Sequence, residues 1–114
     1  MLMPPCIEQI LAARKLADQA RLAHARACRR VRDAGDAAAG AAQAAAILRD
    51  PPAHTANLRV LRLLCAIHRW GPTRARRVLA HERVSEMKTL GGLTERQREA
   101  LAGMLDSAPC ALAA

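Results

Sequence analysis

Trp70 is the only Phe, Tyr or Trp in this 114-residue chain. Any core must therefore be assembled from Leu, Ile, Val, Met and Ala, and alanine makes up much of that apolar stock. Alanine favours helix but contributes little burial per residue. The composition predicts a small all-α protein in which one long helix is packed less tightly than the rest. The length supports one modest domain rather than two independent cores.

Punctuation along the chain divides it further. Pro4 and Pro5 precede a run with few breakers, roughly residues 7–33, and proline suits a helix start because its missing amide would have no partner there. Ile7, Ile10 and Leu11 give this helix an anchoring end, and Leu16, Ala20, Ala23, Ala27 and Val31 continue a slimmer stripe at three-to-four spacing. Seven basic residues, Arg14, Lys15, Arg21, Arg26, Arg29, Arg30 and Arg32, share the run with Glu8, Asp18 and Asp33. They are either the solvated side of a packed helix or an arm lying along phosphates. After Gly35, residues 37–48 read as a short helix with Asp36 as its cap, a light brace weakened by Gly40 and ended by Asp50-Pro51-Pro52.

The main core is expected to begin near Thr55, with a helix over TANLRVLRLLCAI, residues 55–67, buried on more than one side. Leu58, Leu61 and Cys65 form one face of it, and Val60, Leu63, Leu64 and Ile67 widen the apolar surface. Gly71 and Pro72 turn the chain into TRARRVLAH, where Ala75, Val78 and Leu79 face inward while Arg74, Arg77 and His81 lie on another side. Two short helices about a tight glycine turn form a helix-turn-helix type of arrangement. Ser85 is placed to cap a short turn, and Thr94 to Gln97 forms a capping box opening a last helix. Leu93, Ala100, Leu101, Met104 and Leu105 return that helix to the core, after a close connection at Gly91-Gly92. The expected organisation is an N-terminal helical arm and brace over 1–54, a compact helical domain over 55–106 and a flexible tail over 107–114.

Charge and chemistry narrow the function. With 18 basic and ten acidic residues the formal net charge is +8, which favours a polyanionic partner through attraction and counterion release. No apolar run approaches the roughly 20 residues of a membrane span, and the N-terminus lacks the order of a secretory signal. Cys6, Cys28, Cys65 and Cys110 are too scattered for a zinc site, and His24, His54, His68 and His81 complete no metal pattern. No metal or cofactor is expected. Dispersed thiols fit a reducing cytoplasm, with disulfides as the alternative. No constellation assembles a nucleophile, base and orienting group, so a non-enzymatic protein is expected. Glu82 and Glu86 read as helical charge compensation.

The basic residues gather where the backbone also offers donors. The amides of a turn and of the following helix's first residues have no intrahelical partner and can meet a phosphate. Pro72 lacks an amide, so Gly71 and Thr73 are the better candidates. Arg69, Arg74, Arg76 and Arg77 surround them.

The order of these pieces resembles the actinobacterial, or mycobacterial-type, integration host factor family. The resemblance covers most of residues 4–105 and is strongest over 58–101. It rests on the prolines at 4–5 before a basic Ala-rich helix, on VLRLLCAIHRWGPTRARRVL at 60–79, and on ERVSEMKTLGGLTERQ at 82–97. It implies a monomeric nucleoid protein with a long N-terminal helix and a helix-two-turns-helix domain. Such a protein binds double-stranded DNA mainly through its backbone, bends or compacts it, and works beside recombination or nucleoid machinery in phage integration. The family has a Pro-Gly-aliphatic-Gly turn before its basic helix. Here Gly71 matches the second glycine, Arg69 replaces the first, Trp70 replaces the aliphatic and Pro72 stands at a basic position. Arg74 and Arg76 match an Arg and a Lys of the family, and Leu90-Gly91 matches its later Leu-Gly element.

The resulting expectation is phosphate-led duplex binding in the cytoplasm. Gly71 and Thr73 serve as turn donors, and Arg69, Arg74, Arg76 and Arg77 neutralise adjacent phosphates. Lys88, Leu90 and Gly91 form a second grip, and Arg21, Arg26, Arg29 and Arg30 extend the contact along the first helix. Such contacts position DNA without reading bases. Strong sequence specificity ranks lower, because the basic helix has no set of Asn or Gln. Trp70 either packs in the core, the expectation preferred for the largest available anchor, or touches DNA. Two rival classes remain: a structured-RNA-binding or ribosome-associated module, and a protein-interaction adaptor that uses the Ala-rich stripe.

Overall fold

A computed structural model describes residues 6–107; the start signal at Pro4-Pro5, Cys110 and the tail beyond Ser107 lie outside the described residues. The protein is all-α. A long N-terminal helix is followed by a bundle of shorter ones: α1 (Ile7–Arg32), α2 (Ala37–Arg49), α3 (Val60–Cys65), α4 (Pro72–His81) and α5 (Glu95–Ser107), with a 3-10 turn at Leu90–Gly92 before α5. Ser107, expected at the head of the tail, is the last residue of α5.

At about 1.5 Å per residue, the 26 residues of α1 reach about 39 Å. Only its last two turns enter the core, through Ala27, Cys28 and Val31. Ile7, Ile10, Leu11, Leu16 and Leu22 are all exposed, which is why the molecule measures 60 × 28 × 23 Å. The expected anchoring end at Ile7, Ile10 and Leu11 thus anchors nothing among the described residues. Those side chains sit on the part of the helix that projects beyond the bundle.

The second helix is a correction. Expected as a light brace, α2 lies at the centre of the bundle, packed on α5 and on α1. Ala44, Ala45, Ile47 and Leu48 are completely buried, and Asp36 caps the helix as expected by accepting from the Ala39 amide at 2.7 Å. Small side chains make the central position workable, because they let neighbouring helices approach closely. Gly40 is the extreme case: a Cβ there would stand 3.1 Å from the Val31 carbonyl oxygen and 3.4 Å from Ile67. Its helix-weakening hydrogen is what allows α1 and the turn after α3 to close on α2. Arg49 then ties α2 to α5 by pairing with Glu99 at 3.1 Å and with Asp106. One buried cluster runs from Ala27 to Leu105, across residue 54.

The helix expected over 55–67 begins only at Val60. Residues 56–60 are instead held by 88–91: the Leu90 amide donates to the Leu58 carbonyl at 2.9 Å, Gly91 to Ala56 at 2.9 Å, and Val60 to Lys88 at 3.0 Å. This short antiparallel bridge, centred on Arg59 and Thr89, outcompetes local helix propensity. Thr55, fully buried, fixes the entry by donating its hydroxyl to the Pro52 carbonyl at 2.6 Å. Past α3, Ala66 and Ile67 tighten the helix end with bonds to Leu63 and Leu64 before the chain turns.

Candidate nucleic-acid interface

The face of α4 divides as its sequence requires. Ala75, Val78 and Leu79 are buried, while Arg76 and Arg77 point to solvent. Pro72 occupies the first turn, where its missing amide costs nothing. Gly71 precedes it in an extended conformation and supplies no side-chain cap. The amides of Gly71, Thr73 and Arg74 therefore find no acceptor among the described residues. They form the electropositive end of a ten-residue helix, open to solvent on the outer side of the turn.

Trp70 is buried at 6% exposure, so the packing expectation is met. Its outer side is not bare, however. The Arg74 guanidinium lies 5.8 Å from the ring centroid and is half-buried there. Stacking holds Arg74 in one orientation while leaving its charge at the mouth of the turn. Arg69 is exposed and has φ +64°, the left-handed region. A non-glycine residue pays roughly 1–2 kcal/mol for that geometry. This gives a physical reason for a glycine at the position, and here the chain carries a guanidinium instead.

Arg76 pairs with Glu86 at 3.2 Å, tying α4 to the following loop. Glu86 lies outside any helix, so its expected role as helical charge compensation is replaced by this cross-link. Both side chains are about half exposed, and an exposed pair of this kind contributes only about 0–1 kcal/mol. Breaking this pair therefore costs the fold little. Arg77 is exposed and makes no ion pair among the described residues.

The second turn is closed rather than open. Leu90 is fully buried, its amide is spent on Leu58, and its carbonyl accepts from Arg98 at 3.0 Å. The Gly91 amide is spent on Ala56, and that of Gly92 on Thr89. Lys88 donates to the Gly92 carbonyl at 3.3 Å and is the one cation of this turn. Whatever this turn offers a phosphate comes from Lys88, since the Leu90 and Gly91 amides are occupied. Arg98, which sequence reasoning passed over, also donates to the Leu48 carbonyl at 3.0 Å and pins α2, the turn and α5 together.

Along α1 the four expected contact residues are dispersed. Arg21 pairs with Asp18 on the projecting half. Arg26 and Arg30 edge an open groove of about 630 Å³ against Pro52, Ala53 and His54, with Arg30 also donating to Gln43 at 2.5 Å. Arg29 is exposed and makes no ion pair among the described residues. All three basic residues of the last turn, Arg29, Arg30 and Arg32, also complement the negative end of the helix.

Nearer to α4, folding gathers cations that the sequence reading left out of the site. Arg32 from α1 and Arg62 from α3 line one cleft of about 200 Å³ with Cys28, Cys65 and Ala66. Burial pushes the Cys28 thiol above its usual range, against the opposing pull of Arg62 and Arg32. Burial does the same to Cys65, against Arg76. Arg32 and Arg62 thus line one cleft with two thiols, where the end of α1 meets α3. Among the described residues no cluster of His, Cys, Asp or Glu is arranged to hold a metal ion. No described helix is long and apolar enough to cross a membrane.

No family model, curated protein or solved structure matches this chain.

Proposed function

We propose that this protein is a double-stranded DNA-binding architectural protein that grips the phosphate backbone and bends or compacts the duplex. The observation that carries this reading is the open turn before α4. The amides of Gly71, Thr73 and Arg74 have no acceptor among the described residues, and Arg69, Arg74 and Arg77 lie beside them in the chain. An anion there meets helix-end donors and fixed cations together, without first breaking an internal bond. The resemblance to actinobacterial integration host factor adds weight, and so does the net charge of +8.

The mechanism follows from the arrangement. The turn anchors one phosphate, and Arg77 and Arg76 extend the grip along α4. Lys88 adds a cation on the other turn, and the basic face of α1 extends the track beyond the bundle. Smooth bending of a site costs of order 1–6 kcal/mol, so several phosphate contacts must offset it. Little base readout is expected, since the available groups are amides and guanidiniums placed for phosphates. The protein acts as a monomer, without a cofactor and without catalysis, in the cytoplasm on the nucleoid.

Titration onto matched DNA and RNA duplexes over a salt series, with an end-to-end distance readout for bending, tests the reading. It predicts tighter binding to DNA, similar affinity for unrelated sequences, shortening of the end-to-end distance and a steep fall with salt. Preference for structured RNA would transfer the interface to the rival nucleic acid. Binding that is insensitive to salt would remove the phosphate mechanism.

A further inference from the structure

The cleft at the junction of α1 and α3 is separate from the open turn and makes a second demand on an anion. Its walls are Arg32, in the last turn of α1, and Arg62, in the last turn of α3. Its floor is Cys28, Cys65 and Ala66, and no carboxylate lines it. Neither guanidinium enters an ion pair or hydrogen bond among the described residues. Complementing the helix dipole accounts for one arginine at each helix end. It does not account for two that converge on one small cleft with a neutral floor, where each charge opposes the other. A single anion between them removes that repulsion and accepts from both planar forks. The volume, about 200 Å³, suits a compact oxyanion with some of its water, not a base or a peptide.

We propose that this cleft is a second phosphodiester subsite, in which Arg32 and Arg62 clamp one backbone phosphate of a bound duplex. The assignment rests on the duplex-binding reading above. The two thiols supply a neutral floor and, in Cys65, a built-in reporter. Cys28 is buried and Cys65 is only half-buried, so a group seated over the cleft controls access to Cys65.

The experiment follows maleimide alkylation of Cys65 in the full chain by peptide mass spectrometry, alone, with a short DNA duplex, and with inorganic phosphate. In parallel, duplex affinity is measured across salt for Arg32→Gln/Arg62→Gln and for Arg74→Gln/Arg77→Gln. The subsite predicts that the duplex slows Cys65 alkylation several-fold. It also predicts that the Arg32→Gln/Arg62→Gln variant lowers the salt slope by about 0.9, the contribution of the one phosphate no longer neutralised. Equal protection by inorganic phosphate at millimolar concentration would make the cleft a free-phosphate site and overturn the phosphodiester assignment. A duplex that depends on Arg74 and Arg77 yet leaves Cys65 alkylation unchanged would overturn the subsite and leave the duplex reading standing. No duplex binding by the unaltered chain would remove both. The alkylation arm needs no substitution, so a poorly folding variant does not blunt the test.

Discussion

The two turns flanking α4 contain similar residue types and are built to opposite ends. The turn at 85–94 is spent on the molecule itself. Its Leu90, Gly91 and Gly92 amides are all bonded, Leu90 is core, and Arg98 grips it from behind. Glycine at 91 is demanded by the fold, since a Cβ there would lie 3.0 Å from the Ala56 Cβ and 3.1 Å from its carbonyl oxygen. The turn at 68–73 leaves its Gly71 and Thr73 amides unbonded among the described residues, places Arg69 in a costly left-handed conformation, and has a glycine whose Cβ would meet nothing within 4 Å. Nothing inside the protein asks for a glycine at 71. One turn stabilises the bundle, and the other is available to a partner.

Substituting the two glycines separates these roles, and Gly91→Ala has the largest expected effect. Ala56 presents backbone as well as its methyl, so relief requires a backbone shift, and overpacking of this kind costs about 1–3 kcal/mol. Thermal melting should drop by about 4–8 °C for each kcal/mol of destabilisation. An unchanged melting temperature would mean that the second turn is looser than its hydrogen bonds imply.

Arg69→Gly comes next. Relief of the left-handed cost is worth about 1–2 kcal/mol, offset by about 1 kcal/mol from glycine's greater freedom when unfolded. The net expectation is a slightly more stable protein with weaker duplex binding, measured by melting and titration side by side. A loss of stability would mean that the Arg69 side chain supports the fold.

The smallest effect on the fold belongs to Gly71→Ala. Its φ of −93° suits alanine, so the substitution should be neutral to stabilising by about 0.4–1 kcal/mol, read by denaturant melting. A clear destabilisation would end the claim that this turn is free of internal demands.

Much of the fold was legible because its signals are local. The Thr94–Gln97 box forms reciprocally, each side chain bonded to the other's amide at 3.1 Å. Ser85 accepts from the Met87 amide as expected, and the inward face of α4 follows its spacing. What was not legible depends on partners distant in sequence. Residues 56–60 look helical alone and are drawn out by 88–91. The alanines of α2 look weak because each buries little, yet their small size lets α5 and α1 close around them. Within the candidate site, the α4 cations and the turn glycine could be named from sequence. The convergence of Arg32 with Arg62, thirty residues apart, and the Arg76–Glu86 pair across a loop could not. Each charge was visible, but its neighbour was set by the packing of three helices.

We propose above all that the open turn and α4 hold a duplex by its phosphates. The most direct measurement is the affinity of the unaltered chain and of Arg74→Gln/Arg77→Gln for two unrelated duplexes from low to moderate salt. The variant should weaken both duplexes to the same degree and lower the slope of log K against log salt by about 2. Circular dichroism of the variant should report intact helices. A loss confined to one duplex, with the other and its salt slope unchanged, would contradict it.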